Sequence, residues 1–265
     1  MNTRSRYFEG QFKMIQADSP KYTECTTQIV TSKGKPLTAA LKGRGNYSWS
    51  FAKKSYTLKL DNKVSLCGMG SSKKWALVAN HYDKSLLRNT VADYIGSKLT
   101  NIAWTPESRP VDFWMNGTYL GSYILIERIA PDTDVPRIPY KMVLPKVNGV
   151  ETNVGVAGVD TGYILEWDFR KGADRNVYVG SRGWVGIKDP ENEYGPDGLD
   201  LRTGITPTQA NYIEGYMDSC DAKLFGSNFT KTDGTGWRSC IDEDSAVDYF
   251  IGMELMKPVD GNMWA

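Results

Sequence analysis

An Asn116-Gly117 step joins two β-prone runs, Val111-Asp112-Phe113-Trp114-Met115 and Tyr119 through Ile126. Asn-Gly readily takes the left-handed conformations that both central positions of a type I′ turn require, so the two runs should pair as an antiparallel hairpin. An all-helical chain is thereby excluded. Alternating apolar and polar residues at 54–60, and the short apolar run Trp75-Ala76-Leu77-Val78-Ala79, add strands to the same half. Before the hairpin, Leu86, Leu87, Val91, Tyr94, Ile95 and Leu99 recur at helical steps behind Asp83, a good N-cap.

The remainder of the chain has a different texture. Residues 130–160 carry four prolines between 131 and 145 and read as an irregular connection. A strand is expected within Gly162-Tyr163-Ile164-Leu165-Glu166-Trp167-Asp168-Phe169, and the Gly- and Pro-rich stretch to about residue 204 reads as loop. Thr206-Pro207-Thr208-Gln209 is a capping box with proline at the first helical position. The helix it opens has Tyr212, Ile213, Tyr216, Met217, Cys220 and Leu224 on its apolar face. A last helix should start near Asp244-Ser245, bury Val247, Phe250, Ile251 and Leu255, with Met253 a further candidate, and stop before Pro258. Strands with one helix, then helices, predict an α+β fold of two lobes with a cleft between them as the natural ligand site.

Charge narrows the function. The 32 basic and 31 acidic residues leave a net charge of +1, unlike the basic excess of a nucleic-acid binder. No apolar run is long enough to span a bilayer, and Met1-Asn2-Thr3-Arg4-Ser5-Arg6-Tyr7 leads into no apolar stretch, so no signal peptide is visible. Cys25, Cys67, Cys220 and Cys240 lack a Cys-x-x-Cys spacing and there is one histidine, His81, which argues against zinc and against histidine-based hydrolysis. Cys220 and Cys240 flank a polar loop and suit either a disulfide or two buried thiols.

Three polar groupings can carry chemistry. Lys53-Lys54 precedes Ser55-Tyr56-Thr57-Leu58-Lys59-Leu60, just after Gly43-Arg44-Gly45. Strand alternation puts Lys54 on the face of Tyr56, Leu58 and Leu60, and Lys53 on the opposite face. An ammonium on an apolar face must find an anion or escape to water, and a glycine-rich turn before such a lysine is a common phosphate-holding device; a lysine snorkelling from a strand end is the simpler reading. Asp260, in Lys257-Pro258-Val259-Asp260-Gly261-Asn262, is held at a helix end, where a carboxylate can take a proton or hold a metal, or merely make an Asp-Gly turn. Ile126-Glu127 ends the hairpin and could act as a hinge whose backbone pairs with a flat heterocycle, or Glu127 could simply face solvent. Glu166 and Asp168 share a strand face and read best as its wet side, too close together to flank a sugar.

These residues resemble the CotH-type kinases, a family with a protein-kinase-like fold named after a bacterial spore-coat protein. The matching runs are Gly43-Arg44-Gly45-Asn46 with Ser48, Lys53-Lys54-Ser55-Tyr56, Trp75 through Asn80, Tyr82 through Asn89, and Trp104-Thr105-Pro106. They continue with Asn116-Gly117-x-Tyr119-Leu120-Gly121, Ile126-Glu127-Arg128-Ile129 and Val259-Asp260-Gly261. The resemblance implies ATP- and Mg²⁺-dependent phosphoryl transfer to a protein hydroxyl. It assigns the phosphates to Lys54, Arg44, Gly43 and Gly45, adenine to Ile126 and Glu127, catalysis to Asp260, and the metal to Asp260 and Asn262. It further implies a single bilobal domain over 1–265, with an N-lobe to about 126 and a partial C-lobe from 127. The family's later Trp-Asp-Phe-Asp-like motif has no counterpart before Ala265, and Pro258 replaces a small polar residue, so the C-lobe is expected to be truncated. Protein substrates of a spore coat or cell surface are the implied partners and setting. With 15 tyrosines and 8 tryptophans, a non-catalytic coat or surface interaction protein on the same scaffold is the alternative.

Overall fold

The computed structural model describes residues 7–14, 25–30, 36–45, 47–129, 146–147, 150–151, 163–167, 175–180, 183–189, 193–195, 198–200, 206–227, 229 and 236–258. By internal contacts the chain divides into two units, Met1–Ile129 with Asp248–Ala265, and Ala130–Val247. The protein is α+β, with antiparallel pairing dominant.

The first unit is a closed seven-stranded barrel. Its strands are β1 (Tyr7–Met14), β2 (Cys25–Val30), β3 (Pro36–Arg44), β4 (Ser55–Ser65), β5 (Ser71–Val78), β6 (Ser108–Met115) and β7 (Thr118–Glu127), in the order β1-β2-β3-β4-β5-β7-β6. Parallel pairing of β1 with β6 closes the ring; every other pair is antiparallel. Closure follows from the side-chain pattern. Ala39 and Leu41, Leu58 and Leu60, Trp75 and Leu77, Val111 and Phe113, and Tyr123 and Leu125 are alternate residues of successive strands, each at most 3% exposed. They pack together as one core among the described residues. The hairpin is as expected: Asn116 and Gly117 have φ of 51° and 79°, both left-handed.

Helix α1 (Arg88–Gly96) is shorter than the apolar periodicity suggests. Leu87 takes the N-cap position without a side-chain cap, and Asp83 acts from further back, its carboxylate accepting the Arg88 amide at 2.8 Å.

In the second unit, β8 (Lys146–Val147) pairs with β9 (Val150–Glu151), and β10 (Ile164–Trp167), β12 (Gly183–Asp189) and β11 (Arg175–Val179) form a sheet in that order. The short β13 (Glu193–Gly195) and β14 (Gly198–Asp200) make a further hairpin. The loop expected over 170–204 is thus corrected: Val177, Val179, Val185 and Ile187 alternate inward and pack with Ala210 and Ile213 of α2 (Pro207–Phe225). The Thr206–Gln209 capping box is formed, and Cys220 and Cys240 are joined in a disulfide with Cα atoms 5.7 Å apart. Tyr212 and Tyr216, expected on the buried face of α2, are each 41% exposed.

The last helix, α3 (Glu243–Met256), starts behind Asp242, whose Oδ1 accepts the Ser245 amide at 3.0 Å, and ends before Pro258 as expected. Its burial is not as expected. Val247, Phe250, Ile251 and Leu255 are all 49–64% exposed. Periodicity shows that a helix has an apolar stripe, not that an element covers it. The described contacts of α3 with the barrel unit are polar or slight: the Asn101 amide to Asp248 at 2.9 Å, the Arg88 guanidinium to the Met256 carbonyl, and Leu99 against Gly252.

Candidate functional site

Strand register gathers one set of sequence-predicted residues at a single rim of the barrel. Arg44, at the end of β3, lies opposite Ser55 at the start of β4; Tyr56 lies opposite Leu77, and Val78 at the end of β5 opposite Ile124. Segments 45–54 and 79–87 therefore leave the barrel at the same edge. The first turns sharply at Gly45, whose φ of +106° suits glycine alone, and where a Cβ would stand 2.0 Å from the Ser48 Oγ. A short 3-10 turn, Tyr47–Ser50, follows.

Both lysines enter this rim, each in its own way. Lys54 donates to the Trp49 carbonyl and sits 5.3 Å from the centre of the Trp49 ring. Lys53 reaches β7, donates to the Ser122 carbonyl beside the left-handed Gly121, and lies 4.6 Å above the buried Tyr123 ring. Burial pulls the Lys53 ammonium below its ordinary pKa. Strand β4 starts at Ser55, so the lysines precede it and strand alternation does not set their directions. Both half-buried ammoniums are met by carbonyl oxygens and ring faces, and among the described residues neither has a carboxylate partner.

The neighbouring turn is fastened by two side chains. Asn80, at φ +47°, donates from Nδ2 to the Leu86 carbonyl at 3.2 Å and accepts from Asn89 at 2.8 Å. Asp83 accepts from the Ser85 hydroxyl at 2.7 Å, the Ser85 amide at 3.0 Å and the Arg88 amide. The Ser85 hydroxyl and the Arg88 amide hold its carboxyl below the usual carboxylate range. Between these anchors, His81 stacks on Phe51 at 4.9 Å and Tyr82 meets Phe51 edge-on at 4.5 Å. Tyr47 meets the same Phe51 at 5.3 Å. Tyr47 and Tyr82 are 73% and 69% exposed.

Ile126 and Glu127 stand elsewhere. Ile126 pairs with Ala76 and Ser108, and Glu127, the last residue of β7, pairs with Trp75. Glu127 is buried, not solvent-facing; its Oε1 accepts the Glu107 amide at 3.0 Å. The Glu127 amide donates to the Glu107 carbonyl at 3.4 Å and the Arg128 amide to the Lys74 carbonyl at 3.1 Å. Counted along β7 from Ser122, where Lys53 is seated, Glu127 is roughly 17 Å away at strand rise. The register thus unites Gly43, Arg44, Gly45 and Lys54, adds Lys53, and sets Ile126 and Glu127 apart. Asp260 and Asn262 lie outside the described residues, as does Asp168. Glu166 pairs with Lys188 at 2.8 Å on the wet side of its strand.

The described part suits the phosphate end of a nucleotide: two carboxylate-free ammoniums and a left-handed glycine turn at one edge. Among the described residues no group of three or more His, Cys, Asp or Glu is placed to hold a metal. Residues 41–265 match the family described as CotH kinase protein, and the chain belongs to that family. No curated protein matches it significantly.

Proposed function

We propose that this chain is an ATP-dependent phosphotransferase that moves the terminal phosphoryl group to a hydroxyl of a protein substrate. The observation that carries the reading is the pair of half-buried ammoniums, Lys53 and Lys54, without a carboxylate among the described residues. Such charges are costly to bury unless an anion meets them, and a polyphosphate is the anion a kinase-family member would bring. Lys53, Lys54, Arg44 and the backbone of Gly43–Gly45 would hold the phosphates, Asp260 would orient the acceptor hydroxyl, and Asp260 with Asn262 would hold Mg²⁺. When bound, the metal supplies neutralisation of the phosphate charge. The chain's own share is positioning and charge stabilisation at a preorganised edge. The Cys220–Cys240 disulfide favours an oxidising setting such as a cell surface or a spore coat.

Calorimetric titration with Mg·ATP tests this. Lys53→Ala and Lys54→Ala should each weaken binding by tenfold or more, on the order of 1.5–3 kcal/mol for a charge-assisted contact. Unchanged affinity in both variants would remove the phosphate assignment. The exposed apolar residues Phe250 and Leu255 of α3 favour a second reading, a non-catalytic interaction protein. Asp260→Asn separates the two, since it should abolish radiolabel transfer from a kinase and leave a binder's partner capture intact.

A further inference from the structure

We infer that Arg88 is a positioning residue for Asp260: its guanidinium, seated on the Met256 carbonyl, sets where the chain leaves α3. The inference rests on the role given to Asp260 above and adds what aims that residue. From Asp248 onward α3 belongs to the barrel unit, and it meets that unit along one stripe at four-residue steps. Asp248 accepts the Asn101 amide at 2.9 Å, Gly252 lies against Leu99, and the Met256 carbonyl accepts from Arg88. Arg88 makes the last of these contacts. Asp260 follows Met256 by four residues, at most about 14 Å of extended chain.

The exit from α3 is built to stop the helix there. Lys257 takes the left-handed conformation at φ +44°, and its amide returns to the Met253 carbonyl at 2.8 Å. That conformation is ordinary for glycine and uncommon for lysine. Pro258 then has a fixed φ and no amide to give. In a helix running on, the Met256 carbonyl would take the amide of residue 260; here the Arg88 guanidinium takes that acceptor. A cation also suits the negative pole of the helix. Arg88 is itself held from the rim side. Its amide donates to Asp83 at 2.8 Å, and Asn80 fastens the preceding turn through the Leu86 carbonyl at 3.2 Å. Segment 79–87 leaves the barrel at the edge that Lys53 and Lys54 enter. Arg88 thus joins the lysine edge to the helix that delivers Asp260.

A helix cap that serves stability alone is the competing account, and kinetics separates the two. Radiolabel transfer from Mg·ATP is followed in the full chain, in Arg88→Ala and in Arg88→Lys, beside calorimetric titration with metal-free inorganic tripolyphosphate. Circular dichroism checks that the variants fold. Arg88→Ala should lose roughly ten- to a hundredfold in kcat, with KM for ATP within about twofold and tripolyphosphate bound as before, because orientation is lost and the phosphate contacts are not. Methylguanidine should restore part of kcat to Arg88→Ala, and Arg88→Lys should retain part, since each supplies a cationic donor. Exchange of the Lys257 amide hydrogen should quicken about tenfold in Arg88→Ala, a readout that needs no activity. Transfer by Arg88→Ala at the wild-type rate overturns the inference and leaves the phosphotransferase reading standing. So does unchanged exchange at Lys257. A loss of tripolyphosphate affinity as large as the loss in kcat also overturns it, because Arg88 would then support the whole edge. If wild type transfers nothing, both readings fall.

Discussion

Asp93, in α1, accepts a hydrogen bond from the buried Ser108 hydroxyl at 2.5 Å, and loss of water raises its carboxyl above the ordinary range. The folded protein therefore holds this proton more tightly than the unfolded chain. That contribution is fully present below the ordinary aspartate pKa of about 3.9 and is lost as pH rises through the raised folded value. Asp93→Asn keeps an acceptor for Ser108 and carries no charge. It should melt above wild type at pH 7, by no more than on the order of 1 kcal/mol because the carboxylate is still partly wet, or about 2–4 °C. The gap should close near pH 3. Thermal melts across that range decide it, and a variant less stable at neutral pH would mean that the ionised Asp93 has a favourable partner. At this scale the sequence reveals residue types better than their duties. Asp83 is recognisable as a capping acid, but its reach to an amide five residues on depends on the turn between. Lys54 is recognisable as a phosphate candidate; Lys53 is not, because its value comes from Ser122 and Tyr123, some seventy residues away.

Turns and strands were readable where local chemistry alone decides the backbone. Asn116-Gly117 and the Thr206 capping box are of that kind. Val177-Tyr178-Val179 and Trp184-Val185-Gly186-Ile187 alternate just as clearly, but each run is short and the surrounding glycines mask it. Two of those glycines, Gly180 and Gly183, are the left-handed bends that make the β11–β12 hairpin, and the Gly180 amide is held by Asp218 at 2.9 Å. Where an element's partner lies far along the chain, as for α3, the pattern says nothing of burial. The Gly45 turn is the element on which the candidate site depends. An alanine there meets the left-handed φ penalty and the Ser48 hydroxyl together, so Gly45→Ala should cost roughly 1–3 kcal/mol. Adding Ser48→Ala removes the clash and leaves the φ penalty, so the double variant should recover only part of the loss. Because Lys54 is anchored on the Trp49 carbonyl within that segment, tripolyphosphate affinity should fall along with stability. Full recovery in the double variant would show that contact, and not backbone conformation, selects glycine at 45.

Among the described residues, two separate hydrophobic clusters are present, one inside the barrel and one between the β10-β12-β11 sheet and α2. No described residue belongs to both. The Cys220–Cys240 disulfide belongs with the second, tying the C-terminal part of α2 to the 3-10 turn Trp237–Ser239 across a sequence separation of 20. Closing a loop of that size stabilises a fold by about 3 kcal/mol, chiefly by restricting the unfolded chain. The effect should therefore be local to the cluster whose residues the bridge holds. Under reductant, or in Cys220→Ser/Cys240→Ser, amides of α2, β11 and β12 should lose on the order of a hundredfold in hydrogen-exchange protection, while those of β4, β5 and β7 keep theirs. The barrel rim with Lys53 and Lys54 would then still bind tripolyphosphate in the reduced protein. If barrel amides lose protection equally, the two clusters unfold as one cooperative body, and the disulfide supports the candidate site as well as its own unit.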